Sequence, residues 1–197
     1  MTTIDLIKKR RTQYALGKAI PISQDEAITL IEEAVRLAPS SFNSQSSRAV
    51  ILFGEQSEKL WTITREILRK IVPADAFAST DAKMDSFAAG AGTVLFFEDQ
   101  ETIKDLQEKF PLYADNFPVF SEHSAGMAQF AVWTALAEVG IGASLQHYSP
   151  LIDDEVASTW QIKPSWRMRA QMPFGSNEAP LPEKTFIDDS LRFKVFR

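Results

Sequence analysis

The chain has 197 residues, 45% hydrophobic and 24% charged, enough for a compact unit with a substantial core. Its net charge of -5, with no long cationic run, disfavours nucleic-acid binding through phosphate backbones. It has no cysteine, which excludes thiol catalysis, disulfides and cysteine-ligated zinc or iron–sulfur centres.

In chain order, residues 4–11 read as a short helix, with Ile4 and Ile7 apolar and Lys8, Lys9 and Arg10 following. Gly17 and Pro21 interrupt it. Ser23 and Glu26 form a capping-box signature, and Ala27, Ile28, Ile31, Ala34, Val35 and Ala38 keep helical spacing as far as Pro39. The apolar run Ala49–Phe53, closed by Gly54, predicts a buried strand, and residues 55–71 a second amphipathic helix. Residues 73–89 read as short helical or loop pieces. Thr93–Phe97 predicts another buried strand, ended by Glu98 and Asp99.

Ser121 to Val139 predicts a long helix, capped by Ser121 and followed by Gly140. It is apolar nearly all round, which suits the core or a subunit interface. A strand over 143–146, a helix over 153–160 and a strand over 167–172 follow. The tail from Glu178 is rich in proline and charge, yet ends with Phe193, Val195 and Phe196 in alternating fashion, so it is expected to pack, on this chain or another subunit. No repeat or linker divides the chain, which gives a single domain, 1–197. No apolar run reaches the roughly 20 residues needed to cross a bilayer, and Met1–Arg11 lacks the apolar core of a signal peptide. The expectation is a soluble, cytoplasmic protein without a membrane partner.

Few residues announce side-chain catalysis. There is no Walker loop, and Gly90-Ala91-Gly92 precedes a strand, whereas a dinucleotide fingerprint follows one. His123 and His147 lack metal-ligand spacing, and no nucleophile elbow supports a serine triad. What stands out is Arg10-Arg11-Thr12-Gln13-Tyr14 together with Ala38-Pro39-Ser40-Ser41-Phe42-Asn43-Ser44-Gln45. Arginine forks suit phosphate, and Asn and Gln amides suit the edge of a heterocycle. A plainer reading makes the arginines solvated cations at a helix C-terminus and the serine-rich run a polar loop.

These two segments resemble the opening of the FMN-dependent nitroreductase family. The resemblance continues through Ser121-Glu122-His123-Ser124-Ala125-Gly126-Met127, Gly140–Tyr148 and Met172-Pro173-Phe174-Gly175, in family order. It is to the compact subgroup that holds the fungal fatty-acid-repression mutant protein and small bacterial nitroreductases. It implies an α+β fold, a mainly antiparallel sheet flanked by helices, in a homodimer with exchanged C-terminal segments and FMN between subunits. It further implies that Arg10, Arg11, Thr12 and Tyr14 contact the cofactor, with Asn43 and Gln45 in a flavin-bonding loop. Lys83 matches a lysine near the pyrimidine side, Leu145 and Gln146 lie along the isoalloxazine, and Lys184 and Arg192 complete the phosphate site. Ser46-Ser47-Arg48 stands where many relatives place a tryptophan, and Gln146-His147-Tyr148 replaces a glycine-rich turn.

The implied activity is oxidoreduction on FMN: hydride from NADH or NADPH, then a small-molecule electron acceptor such as a nitroaromatic or quinone, in ping-pong order. No residue is assigned as a catalyst; Arg48, His123 and His147 are substrate-site candidates. Two rival classes use the same features: a flavin-binding regulatory or stress-response protein with incidental turnover, and a flavin-free module that binds a phosphorylated ligand.

Overall fold

The structure, a computed structural model, describes residues 2–197. Eight helices occur among them: α1 (Thr3–Lys9), α2 (Gln24–Leu37), α3 (Glu55–Arg69), α4 (Phe77–Ala88), α5 (Gln100–Lys109), α6 (Phe117–Glu138), α7 (Asp153–Trp160) and α8 (Asp189–Arg192). The strands are β1 (Leu16–Gly17), β2 (Ser47–Phe53), β3 (Gly92–Asp99), β4 (Gly142–Ala143) and β5 (Trp166–Asn177). They form one antiparallel sheet in the order β1-β5-β3-β2, with β4 also on β5.

β3 organises the core. Its whole length is buried, which explains a continuous apolar run where a half-exposed strand would alternate. Val94 and Phe96 face Ile31 of α2 and Val132 and Leu136 of α6. Leu95 and Phe97 face Leu60 and Trp61 of α3, Met84 and Phe87 of α4, and Val156 of α7. The molecule is thus three layers, helices on both faces of the sheet.

The capping box of α2 forms as its sequence dictates: the Glu26 amide donates to Ser23 Oγ at 3.2 Å, and the Ser23 amide to Glu26 Oε2 at 2.8 Å. Other boundaries differ from expectation. Residues 77–88 are one continuous helix, stabilised by burying Phe77, Met84 and Phe87. An unanticipated helix, α5, follows β3 directly, capped by the Asp99 carboxylate. Ser121 is not a cap: α6 begins four residues earlier, with Pro118 in its first turn, where a missing N–H leaves nothing unpaired. β5 runs beyond Met172 through Pro173 and Gly175. A Cβ at Gly175 would overlap the Gly17 carbonyl oxygen, so only glycine lets β1 cross there. The predicted strand at 143–146 shrinks to β4 and a single bridge between Gln146 and Gln171.

The tail from Glu178 is tied to the chain at its beginning. The Glu178 amide donates to Ala15 O at 2.9 Å, and Gln13 Nε2 donates to Ala179 O at 2.7 Å. Beyond Lys184 it leaves the body, with Phe186, Leu191, Val195 and Phe196 between 70% and 91% exposed. The expected packing of Phe193, Val195 and Phe196 is not made within one chain.

Candidate functional site

The largest cleft, about 950 Å³, lies between residues 10–15, the outer face of α6 and the start of the tail. Residues 10–15 reach it because they run extended beside the sheet: Thr12 bridges to Ala143, and the Gln13 amide donates to Ala143 O at 2.9 Å. Gly126, Gln129, Phe130 and Trp133 line it from α6, one face at spacings of three and four. Leu145, Leu181, Pro182 and Lys184 complete it.

Its charge is one-sided. Arg10, Arg11 and Lys184 line it, and no carboxylate does, in a chain whose net charge is negative. The Arg10 guanidinium lies 4.4 Å from the centroid of the Trp133 ring, and its Nε and Trp133 Nε1 are buried without a hydrogen-bond partner among the described residues. Burial, then the neighbouring Arg11, lowers the Arg10 pKa from its ordinary value. A cation disfavoured by burial and by a like charge is relieved by an anion. Arg11 instead braces the tail, donating to Pro182 O at 2.6 Å. The walls are apolar and aromatic: Tyr14, Phe130, Trp133 and Leu145. The cleft suits a flat ring bearing an anionic end.

A second constellation surrounds the loop between α2 and β2. Phe42, Asn43 and Gln45 have φ of 57°, 49° and 47°. This left-handed region costs a non-glycine residue of order 1 kcal/mol or more, most for a bulky one such as Phe42. The loop is pinned throughout. The Gln45 amide donates to Ser40 Oγ at 3.0 Å, and Phe42 stacks among Phe110, Tyr113 and Phe117 at centroid distances of 5.1–5.9 Å. Arg48 donates to the Gln45 carbonyl and pairs with Asp99 at 3.1 Å. Below it, Ser46, Ser47 and Ser121 all donate to the carboxylate of Glu98, which is fully buried.

The sequence of this chain fits one family throughout this scaffold: the pattern of the nitroreductase family matches residues 7–176. The chain belongs to the nitroreductase family. Two relatives from Saccharomyces cerevisiae, HBN1 and the nitroreductase FRM2, are 35% and 31% identical to this nitroreductase; HBN1 aligns over 96% of the chain and 95% of its own length, FRM2 over 94% and 93%. The nitroreductase CinD from Lactococcus lactis, solved with chloramphenicol, superposes with a TM-score of 0.92 at 50% identity, both chains covered in full. A Desulfovibrio desulfuricans protein solved with FMN shares the fold, at a TM-score of 0.70 and 18% identity, over 98% of this chain and 97% of its own. The α+β sheet architecture is the nitroreductase fold.

Within one chain the anticipated residues divide. Arg10, Arg11, Thr12, Tyr14, Leu145 and Lys184 line the large cleft. Gln45 and Arg48 line a smaller one of about 210 Å³ on the loop, and Asn43 is exposed beside it. Gln146 is buried, donating to Ser144 Oγ at 3.0 Å. Lys83 is exposed, 5.7 Å from the Phe87 ring and 6.0 Å from that of Tyr148. The Tyr148 hydroxyl is pushed up to about 12 by burial and then by Tyr14, so it stays a neutral phenol. Arg192 is exposed on α8, and His123 and His147 are exposed outside the large cleft.

Several lining residues were not anticipated from the sequence: Gly126, Gln129, Phe130, Trp133 and Leu181. For those on α6 the signal was present, since an apolar stripe interrupted by glycine marks a face that something must cover. Glu98 carried no such signal, because a lone glutamate after an apolar run reads as exposed.

Proposed function

We propose that this nitroreductase is an FMN-dependent oxidoreductase that takes hydride from NADH or NADPH and passes electrons to nitroaromatic or quinone-like acceptors in ping-pong order. The observation that carries this reading is the large cleft, where three cations, no carboxylate and two partnerless buried donors meet aromatic walls. FMN, when bound, supplies the redox chemistry. Arg10, Arg11 and Lys184 hold its phosphate, and Thr12 adds a hydroxyl. Tyr14, Trp133 and Leu145 flank the ring system and exclude water from it, and Gln146 keeps Leu145 in place from the core side. Lys83 is assigned to the pyrimidine edge, beside Tyr148, whose Oη holds its proton across the working pH range.

Asn43 and Gln45 do not line that cleft, so we place them in the site of a second copy. The exposed apolar residues Met127, Phe130, Phe186 and Phe196 support a homodimer in which the tails are exchanged. Arg192, Arg48, His123 and His147 then serve at the shared boundary. CinD has been solved with chloramphenicol and with 4-nitrophenol, both nitroaromatic. That supports the acceptor class at 50% identity.

Protein purified without added cofactor should show a flavin absorption spectrum, alone or after reconstitution, and release FMN on denaturation. Steady-state reduction of nitroaromatics and quinones with NADH and NADPH then tests turnover. Binding of FMN without turnover would favour a regulatory flavoprotein, and failure to bind FMN would reject the reading.

A further inference from the structure

Glu98 has no task in the reaction as proposed, yet its environment is specific. It is fully buried near the end of β3, and among the described residues no Lys, Arg or His pairs with it. Its carboxylate instead collects three hydroxyls: Ser46 at 2.5 Å and Ser121 at 2.7 Å, both on Oε2, and Ser47 on Oε1. Ser46 ends the loop that carries Asn43 and Gln45, Ser47 begins β2 opposite Glu98 in the ladder, and Ser121 belongs to α6. Next to it, the Asp99 amide donates to Ser46 O at 2.9 Å.

A buried carboxyl group whose hydrogen bonds come from three hydroxyls is a poor way to stabilise a core, where an apolar residue of similar size serves as well. It is a good way to fix a short backbone segment, because a carboxylate accepts from several directions at once. The segment it fixes is the one with three non-glycine residues at positive φ, a conformation that persists only when its surroundings determine it.

We propose that Glu98 is a positioning residue: through Ser46, the last residue of the Ser40–Ser46 loop, and Ser47, the first of β2, it holds that loop in the shape that presents Asn43 and Gln45 to the flavin. This rests on the reading of that loop as a flavin contact.

The three serines give the test. Each of Ser46→Ala, Ser47→Ala and Ser121→Ala removes one hydroxyl from the same carboxylate, but only the first two release the loop. FMN affinity is measured on apo protein by quenching of flavin fluorescence, with the absorption bands and midpoint potential of the bound flavin and the Tm recorded alongside. Ser46→Ala and Ser47→Ala should raise the FMN Kd about tenfold, the size of one lost charge-assisted bond, and shift the bands and potential. Ser46→Thr, which keeps the hydroxyl, should restore both. Ser121→Ala should lower Tm as much and leave FMN affinity within about twofold. Glu98→Gln should behave as the loop variants do; if it fails to fold, the serine set decides. If wild-type protein binds FMN and Ser121→Ala weakens it as much as Ser46→Ala, or no variant moves affinity, bands or potential, Glu98 is a stability element only. If wild-type protein does not bind FMN, the flavin reading fails, and this inference with it.

Discussion

The segment Arg10–Ala15 and the loop Ser40–Arg48 both carry residues assigned to the cofactor, but they are held in opposite ways. The first is extended and secured by main-chain bonds to Ala143, with Arg11 and Gln13 also tied to the tail and Arg10 lying over Trp133. The second is tightly curled, holds three left-handed residues, and adds to its main-chain bonds a set of side-chain anchors: a carboxylate, an ion pair and an aromatic cluster. A β-bridged segment tolerates changes in its side chains, so residues 10–15 can be specialised for a ligand. The loop has little such freedom, because its side chains also determine its shape. Substitutions in the first region should therefore cost binding and spare stability; in the second, the two should fall together unless the anchor is chosen with care.

The largest effect is expected where the two regions have to meet. Truncation after Lys184 removes the exposed apolar tail and should give a chain that sediments as a monomer at micromolar concentration and loses FMN. A truncated chain that remains dimeric would reject the exchanged tail, and a full-length chain that sediments as a monomer would sink the two-copy site. Next, Arg10→Ala combined with Arg11→Ala should weaken FMN by roughly a hundredfold, about two charge-assisted bonds, while thermal unfolding shifts little. Equal losses of both would return the arginines to the role of helix-end cations. Gly126→Leu should separate binding from stability more sharply. A Cβ added at Gly126 has nothing within 4 Å, and replacing glycine within a helix gains up to about 1 kcal/mol. Tm should hold or rise, and FMN retention should drop about tenfold as the side chain enters the cleft.

The smallest effect calibrates the others. Ser23→Ala removes the cap at the end of α2 remote from the loop, and should lower Tm slightly without touching FMN. Main-chain and hydroxyl bonds from Ser23 hold the Glu26 carboxyl below its usual range. Its contribution is therefore complete above the unfolded-state value and lost as pH falls through the folded one. The Tm gap between Ser23→Ala and wild type should close on acidification, as a pH series of melts would show.

The elements that were legible in the sequence are those whose pattern is local. α2 has its capping box and stripe, β3 its apolar run, and α7 its acidic first turn. β1 and β4, two residues each, are too short to have a period and exist only through their pairing with β5. α4 was read as fragments because Ala and Ser dominate it, and its three buried residues are spread over eleven positions. At the site, Arg10 to Tyr14 were legible as chemistry. Glu98 was not, since a buried carboxylate becomes intelligible only when the serines from two distant segments are seen around it. Gly126 and Trp133 lay between these cases: their spacing was visible, but what would cover that face was not.

Trp133 has an optical consequence. The four tryptophans differ in their surroundings: Trp61 is sealed in the core and donates to Thr93 at 2.9 Å, whereas Trp133 is only partly buried and lies under Arg10 in the cleft wall. Beside Trp160 and Trp166, Trp133 and Trp61 therefore contribute two different signals to the intrinsic fluorescence. One is quenched when an absorbing ligand enters the cleft, and the other changes only when the core opens. Cofactor loss and unfolding should separate as two steps in a single heating trace, without any label.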